Sequence, residues 1–258
     1  MYKYIKKLIR NIIDYFFYPY LKVKELPSVR PSIKSIYYFI NQLGKNKPVG
    51  LTRVASVAYH EVPFAEIKVK TSRNDLQKRI ELISNNFEFN NKVGIDIGCA
   101  IGGVTFSLQK MGAKMIGIER DLPAFNVATE IEAYFKTGAN FIHSSISPSL
   151  LEEVLKKFNH KEFDFTIWLS SFNWVLGDLG EESTKDLINS LSQKSTYLIC
   201  DSAIGGKGQK FLTQSKIESN EDFVNFIEDN SQYKLEKVLG KYDSWYNRDL
   251  FLFKRVTN

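Results

Sequence analysis

A glycine-rich turn at residues 98–103 is the part of this 258-residue chain best suited to chemistry. The turn reads GCAIGG, directly follows the apolar run KVGIDI, and lies 21 positions before an acidic residue, counting from Gly98 to Glu119. Glycines let a ligand approach the backbone closely, and an acid at the end of the next strand can accept hydrogen bonds from ribose hydroxyls. The spacing therefore predicts a nucleotide-type binding site.

Two common nucleotide patterns are absent from this turn. No Gly-Lys-Ser/Thr sequence closes it, so it is not a phosphate-binding loop of the Walker type. The dinucleotide pattern G-x-G-x-x-G also fails, because position 100 is alanine and the glycines stand at 98, 102 and 103. A tight structural turn that binds no ligand is the alternative interpretation.

Strands and helices alternate from residue 91 onward. Apolar runs typical of buried parallel strands lie at 92–97, 114–118, 140–143, 163–169 and 195–200. Helical segments separate them at 103–111, at 122–136 and after Ser147, which is placed to cap a helix with Pro148 in its first turn. The alternation predicts an α/β fold with a doubly wound, mostly parallel sheet and helices on both faces. Ligands of such sheets bind outside the carboxyl ends of the strands.

The segment VGIDIGCAIGG, together with Glu119, resembles the first motif of the class I S-adenosylmethionine-dependent methyltransferases. The resemblance covers roughly residues 90–256 and implies a seven-stranded, Rossmann-like sheet, closed by strands at 233–239 and 250–254, the last one antiparallel. It implies that Asp96 and the turn hold the methionine part of S-adenosylmethionine and that Glu119 accepts the ribose hydroxyls. The cofactor-binding residues that it suggests are Asp96, Gly98, Cys99, Ala100, Gly102, Glu119, Arg120, Ser144 and Ser170.

The end of the fourth predicted strand, LSSFNW at 169–174, should face the transferred methyl group. Amino-methylating nucleic-acid enzymes of this family often carry Asn/Asp-Pro-Pro-Tyr/Phe there, which this chain lacks. Asn173 is a candidate to orient an acceptor and Trp174 to contact it, with a packed aromatic turn as the alternative. His60 beside Glu61 is a candidate base, since an imidazole near a carboxylate can deprotonate a hydroxyl at neutral pH. A structural histidine is the commoner outcome.

Two loops at the same edge of the predicted sheet carry further candidates. Trp245 and Arg248 follow the sixth strand and could stack on a sugar or pair with an anionic acceptor, or simply form a hairpin turn. The glycine-rich segment 201–208 follows the fifth strand and would border the acceptor cleft, or serve as a linker. The two cysteines, Cys99 and Cys200, lack metal-ligand spacing, so no metal site is expected.

The first 89 residues read as an extension before a methyltransferase domain at 90–258. Residues 1–70 hold 13 Lys/Arg and 4 Asp/Glu, a net charge of +9, whereas the rest carries −3. Apolar residues at helical spacing over 2–18 alternate with lysines and arginines, which is typical of an interfacial helix or of a helix packed on the core. A short helix at 32–43, extended chain at 51–70 and a helix at 73–86 are also expected. A basic head suggests an anionic partner, namely a membrane surface or nucleic acid.

The sequence predicts an S-adenosylmethionine-dependent methyltransferase that modifies an oxygen of a glycan, lipid-linked or small-molecule acceptor. An RNA methyltransferase, a non-catalytic nucleotide-binding protein of the same fold and a nicotinamide oxidoreductase are the alternatives. Ordinary composition, with 43% hydrophobic and 25% charged residues, excludes a disordered chain, and no apolar run is long enough to span a bilayer. Two cysteines favour a reducing, cytoplasmic location, with a peripheral place at the inner membrane face if the head binds lipid.

Overall fold

The computed structural model describes residues 31–40, 57–202, 204, 209–242 and 248–256. Its helices are α1 (Ile33–Ile40), α2 (Leu76–Ser84), α3 (Gly103–Lys110), α4 (Leu122–Phe135), α5 (Pro148–Lys157), α6 (Phe172–Leu179), α7 (Glu181–Lys194), α8 (Gln209–Gln214) and α9 (Asn220–Asp229). Its strands are β1 (Val57–Ala58), β2 (Lys70–Thr71), β3 (Val93–Ile97), β4 (Lys114–Glu119), β5 (Asn140–His143), β6 (Phe163–Trp168), β7 (Ser195–Asp201), β8 (Tyr233–Lys241) and β9 (Asp249–Arg255).

A seven-stranded sheet forms the centre of the molecule, in the order β5-β4-β3-β6-β7-β9-β8. Strands β3 to β7 pair in parallel, whereas β9 pairs antiparallel with both β7 and β8. The sheet is therefore mixed, and the antiparallel last strand that the sequence resemblance implied is confirmed. The strand order reverses at β3, since the chain builds outward to β5 and then crosses back to β6. This switch point is where doubly wound sheets bind their ligands.

Alternate side chains of the central strands enter cores on the two faces of the sheet. In β7, Leu198 and Cys200 pack with one cluster, and Ile199 packs with the other. Helix α7 covers the first face, and α2 covers the second through Leu76, Ile80 and Ile83. The five residues of β3 are all buried, as expected of a strand covered on both sides.

The helix starts follow the local sequence signals. The side chain of Ser147 accepts a hydrogen bond from the backbone N–H of Leu150 at the start of α5, and Pro148 occupies the first turn. The expected helix start there is confirmed. Asp121 caps α4 in the same way, and Ser219 and Asp222 form a capping box at α9. Side-chain caps stabilise each helix start by about 1 kcal/mol.

The segment before the sheet is mostly irregular among the described residues. Helix α1 packs on α4, and its side chains Ile36, Phe39 and Ile40 are buried. The extended chain expected at 51–70 is largely wrong, because in the described part of that range only β1 and the first residue of β2 are strands. Val62, Phe64 and Ile67 of loop 59–69 are buried in the core. Turns bring these apolar side chains inside although the loop does not pair with a strand. The basic segment 2–18 lies outside the described residues.

None of the helices that the structure describes has the length and apolar character needed to cross a bilayer.

Candidate functional site

The glycine turn between β3 and α3 adopts backbone conformations that favour glycine. Gly98 has φ of +74° and Gly102 has φ of +88°. A Cβ on Gly98 would lie 2.8 Å from Ser171 Oγ, and one on Gly102 would lie 2.7 Å from Cε2 of Phe106. Both glycines are therefore required by packing as well as by φ. The end of β3 consequently lies directly against the residues that follow β6.

The thiol of Cys99 faces the sheet. A Cβ on Gly117 of β4 would lie 2.7 Å from its sulfur. Burial raises the pKa of this thiol well above its usual range, so it is not a thiolate nucleophile. Any contact of Cys99 with a cofactor would therefore come from its backbone, and that contact stays a prediction.

The carboxylate of Glu119 joins the two loops that flank the switch point. Its Oε2 accepts a hydrogen bond from the backbone N–H of Ala100 at 2.8 Å, and its Oε1 accepts one from Asp121 N–H at 2.7 Å. Ala100 has φ of +51°, unusual for a residue with a Cβ. Burial raises the pKa of Glu119, although the backbone hydrogen bonds oppose that shift. Each oxygen keeps lone-pair capacity for a ribose hydroxyl.

Asp96 is a buried carboxyl at the end of β3. The Thr105 hydroxyl donates to its Oδ2 at 2.6 Å. Burial raises the pKa of Asp96 to about 7, with the Glu119 charge adding to the rise and the Thr105 hydrogen bond opposing it. A cationic group placed beside Asp96 would therefore favour ionisation of this carboxyl.

Ser170, directly after β6, is fully hydrogen-bonded inside the protein. Its backbone N–H is 3.0 Å from both Asp201 carboxylate oxygens, and its hydroxyl donates to Asp201 Oδ2 at 3.1 Å. The same hydroxyl oxygen accepts from Arg79 Nη2 at 2.9 Å and from Arg248 Nη1 at 3.2 Å. A hydroxyl has one proton and two lone pairs. The Ser170 side chain therefore has little capacity left for a cofactor, and its predicted contact would fall to the backbone.

Four residues around Ser170 form a buried polar network that sequence reasoning largely missed. Tyr242, after β8, donates its phenol proton to Asp201, and the Arg79 guanidinium lies 4.2 Å from the Tyr242 ring centroid. Burial, followed by the Asp201 charge, raises the pKa of the Tyr242 phenol. Only Arg248 was predicted. A sequence signal for Arg79 existed, because this arginine falls on the apolar stripe formed by Leu76, Ile80 and Ile83.

His60 lies at the same edge of the sheet, beside the start of α3. A Cβ on Gly103 would lie 3.6 Å from the His60 Cβ. Its Nδ1 is 3.4 Å from Asp75 Oδ1, but burial, then the charges of Arg79 and Arg73, lower its pKa to about 2. An imidazole with so low a pKa is neutral and a poor general base, since it does not retain a proton at neutral pH. The expected base function therefore conflicts with its surroundings.

Asn173 and Trp174 lie in the first turn of helix α6, which begins at Phe172 after the Ser170 turn. Asn173 is buried, and among the described residues its Oδ1 has no hydrogen-bond partner. Trp174 is 42% exposed, and its ring lies 6.0 Å from that of Phe211 on α8. An orphan acceptor atom and an exposed indole thus share the edge at which β6 ends. Their contact with an acceptor stays a prediction.

The other predicted contacts lie at the rim. Arg120 is exposed and pairs with Asp178 of α6. Ser144 follows β5, and its backbone N–H donates to the Glu119 carbonyl at 3.1 Å. Trp245 lies outside the described residues. The three therefore stay predictions.

Similarity to proteins of known sequence and structure indicates the fold of this chain. No protein-family model matches the sequence. The chain is similar to the O-antigen chain terminator bifunctional methyltransferase/kinase WbdD of Escherichia coli, with 26% identity over 176 residues. That match covers 66% of this chain but only 23% of the curated relative.

Solved structures give the same result. A crystal structure of WbdD superposes with a TM-score of 0.62 at 18% identity, covering 86% of this chain and 47% of that one. Magnesium protoporphyrin IX methyltransferase (ChlM) from Synechocystis PCC 6803, solved with bound S-adenosylmethionine, gives a TM-score of 0.50 at 16% identity, covering 70% of this chain and 78% of ChlM. The strand order, the glycine turn and these likenesses agree: the chain has the fold of the class I S-adenosylmethionine-dependent methyltransferases.

Proposed function

We propose that the protein is an S-adenosylmethionine-dependent methyltransferase that acts on an oxygen of a glycan, lipid-linked or small-molecule acceptor. The observation that carries the proposal is the placement of Asp96, the glycine turn and Glu119 around the switch point of the sheet. Asp96 is the last residue but one of β3 and Glu119 is the last residue of β4, and the Glu119 charge acts on Asp96, so the two carboxyls lie near each other at the switch point.

The residues of the crevice fit the cofactor. Asp96 would hold the ammonium group of the methionine part, directly or through water, and Glu119 would accept the ribose hydroxyls. Arg120 and Ser144 would border the adenosine. When bound, the cofactor supplies an electrophilic methyl group on a sulfonium. The chain itself contributes binding, orientation and exclusion of water, because in-line displacement depends on the alignment of the acceptor oxygen.

Asn173 and Trp174 would orient the acceptor. The buried Oδ1 of Asn173 is an acceptor atom suited to a donating hydroxyl, and the exposed Trp174 ring suits the apolar face of a sugar. His60 is a poor candidate base, since burial and two arginines lower its pKa to about 2. An acceptor oxygen that is already ionised, such as that of a phosphate or carboxylate, needs no base.

Calorimetry tests the cofactor. S-adenosylhomocysteine should give saturable binding heat and NAD should give none. Binding of NAD alone would overturn the proposal in favour of an oxidoreductase, and binding of neither would favour a protein that keeps the fold without the activity.

A labelled-methyl screen tests the acceptor. Cell extract is incubated with the protein and labelled S-adenosylmethionine, then separated into lipid, glycan, small-molecule and nucleic-acid fractions. Label should enter a nuclease-resistant lipid, glycan or small-molecule fraction. Label that disappears after ribonuclease treatment would establish the RNA alternative.

A peripheral membrane location is proposed for the basic segment 2–18. Its support is the interleaved basic and aromatic sequence, which is typical of interfacial helices. The test is vesicle sedimentation, described in the Discussion.

A further inference from the structure

We propose that Arg79 is a positioning residue for methyl transfer, which holds Ser170 and thereby the turn between β6 and α6 in the shape that presents the acceptor. The inference rests on the proposed function. Arg79 belongs to α2, in the extension before the predicted methyltransferase domain, and its side chain is only 1% exposed. A fully buried arginine is rare without a specific set of partners.

The partners of Arg79 lie on three separate parts of the chain. Its Nη2 donates to Ser170 Oγ at 2.9 Å, its guanidinium lies 4.2 Å from the Tyr242 ring centroid, and its Nε is 3.4 Å from Asp75 Oδ1. Ser170 follows β6 and Tyr242 follows β8, while Asp75 directly precedes α2. One side chain therefore connects the extension to the ends of two strands at the crevice.

Ser170 has a conformation that needs such support. Its φ is +58°, in the left-handed region that a serine rarely adopts. The Asp201 carboxylate accepts hydrogen bonds from the N–H and the hydroxyl of Ser170, and the Arg79 guanidinium donates a hydrogen bond to the same hydroxyl oxygen. The neighbouring Ser171 hydroxyl donates to the Ile97 carbonyl at 3.0 Å, which connects the same turn to the glycine loop. A change in the Ser170 turn would therefore move Asn173 relative to the end of β3.

A purely structural salt bridge is the competing explanation, and it predicts a different result. If Arg79 only stabilises the fold, its loss lowers the melting temperature but leaves the turnover of the remaining folded protein unchanged. If Arg79 positions the Ser170 turn, turnover falls while affinity for the cofactor, which binds on the β3–β4 side, is retained.

The test compares Arg79→Lys and Arg79→Met with Lys78→Met, a matched loss of charge at an exposed position of the same helix. Cofactor affinity is measured by calorimetry with S-adenosylhomocysteine. Maximal rate and relative KM come from a dilution series of the acceptor fraction that the labelled-methyl screen identifies. Hydrogen–deuterium exchange of the peptide covering 169–174 reports on the turn without any acceptor.

Arg79→Met should lower the maximal rate by about tenfold or more, since a hydrogen bond to a charged group is lost. It should speed exchange at 169–174 and leave cofactor affinity within about twofold. Arg79→Lys should recover part of the rate, and Lys78→Met should match the wild type. Ser170→Ala should lower the rate about as much as Arg79→Met does. Adding Arg79→Lys to Ser170→Ala should lower the rate little further.

Unchanged rate and exchange in folded Arg79→Met would overturn the inference. A loss of cofactor affinity in Arg79→Met as large as its loss of rate would also overturn the inference, because the defect would then not be confined to the acceptor side. If Arg79→Met does not fold, Arg79→Lys and Ser170→Ala decide by the same measurements. A wild-type protein that binds no S-adenosylhomocysteine would instead reject the proposed function, and the exchange data would still show whether Arg79 holds the turn.

Discussion

Glu119 and Ala100 are 19 residues apart in sequence, yet the Glu119 carboxylate accepts a hydrogen bond from the Ala100 backbone N–H at 2.8 Å. The proposed ribose-binding residue thus also supports the shape of the glycine turn. The two functions are coupled, because an Ala100 conformation with φ of +51° is maintained by the group that would bind the ligand.

Replacement of Glu119 should therefore weaken cofactor binding for two reasons. We expect Glu119→Ala to reduce S-adenosylhomocysteine affinity on the order of 10- to 100-fold, as hydrogen bonds to a charged group contribute ~1.5–3 kcal/mol. Glu119→Gln should also bind weakly, since its amide nitrogen cannot accept from a backbone N–H. Calorimetry measures both.

Glu130→Ala is the matched control for Glu119. Glu130 is another buried glutamate, which accepts a hydrogen bond from Ser35 away from the crevice. Its loss should lower the melting temperature without changing cofactor affinity. Wild-type affinity in folded Glu119→Ala would remove this residue from the site.

Gly98→Ala should destabilise the protein more than its φ alone requires. A Cβ at position 98 would meet Ser171 at 2.8 Å in addition to the strain of φ +74°. Chemical denaturation should show a loss larger than the ~1–3 kcal/mol typical of a residue held in a sparsely populated backbone conformation.

Adding Ser171→Gly to Gly98→Ala separates the steric contact with Ser171 from the backbone strain at position 98. In the variant Gly98→Ala/Ser171→Gly the steric contact is removed but φ is unchanged, so the stability lost relative to Ser171→Gly should be smaller than the loss caused by Gly98→Ala alone. Equal losses in the two backgrounds would show that the contact with Ser171 relaxes freely.

Cofactor affinity should rise as the pH increases through about 7. Burial raises the pKa of Asp96 to about 7, so the apo protein binds a proton there, whereas the cofactor's ammonium requires the carboxylate. For the same reason, Asp96 stabilises the apo fold fully below about pH 4, and this stabilisation is lost as the pH rises through 7. Binding titrations at several pH values measure the first effect and thermal melts the second.

Two substitutions check the assignment to Asp96. Asp96→Asn should abolish the rise of affinity with pH. Thr105→Val removes the hydrogen bond that lowers this pKa, and should shift the rise to higher pH. A pH dependence that persists in Asp96→Asn would assign the titration to another group.

Removal of residues 2–18 should abolish binding to anionic vesicles and leave cofactor affinity intact. Each basic residue near an anionic surface contributes about 1 kcal/mol, and the aromatic and aliphatic side chains add an apolar share that salt does not screen. The deletion stops well before α1, because Ile36, Phe39 and Ile40 are buried in the core.

Sedimentation with vesicles, beside thermal melts of both proteins, decides between the two interpretations of this segment. A segment packed on the core predicts a less stable truncated protein and no vesicle binding by either form. Vesicle binding that survives the deletion would show that another surface is the anchor.

The sequence alone determined the parts of this protein that depend on local order along the chain. The strand–turn–helix units, the helix start at Ser147 and the positions of Asp96 and Glu119 within their strands follow from periodicity and spacing, which are properties of neighbouring residues. The family resemblance rests on the same contiguous segment, VGIDIGCAIGG, and therefore needed no tertiary information.

Only the tertiary structure decided what surrounds Ser170, after the end of β6. Arg79, Asp201 and Tyr242 meet at Ser170 from segments separated by up to 163 residues, and no spacing rule connects them. The same packing makes His60 a neutral imidazole, because burial and two arginines lower the pKa that its neighbour Glu61 had suggested would be near neutral. Protonation and hydrogen bonding depend on contacts through space, and those form only when distant strand ends come to one edge of the sheet.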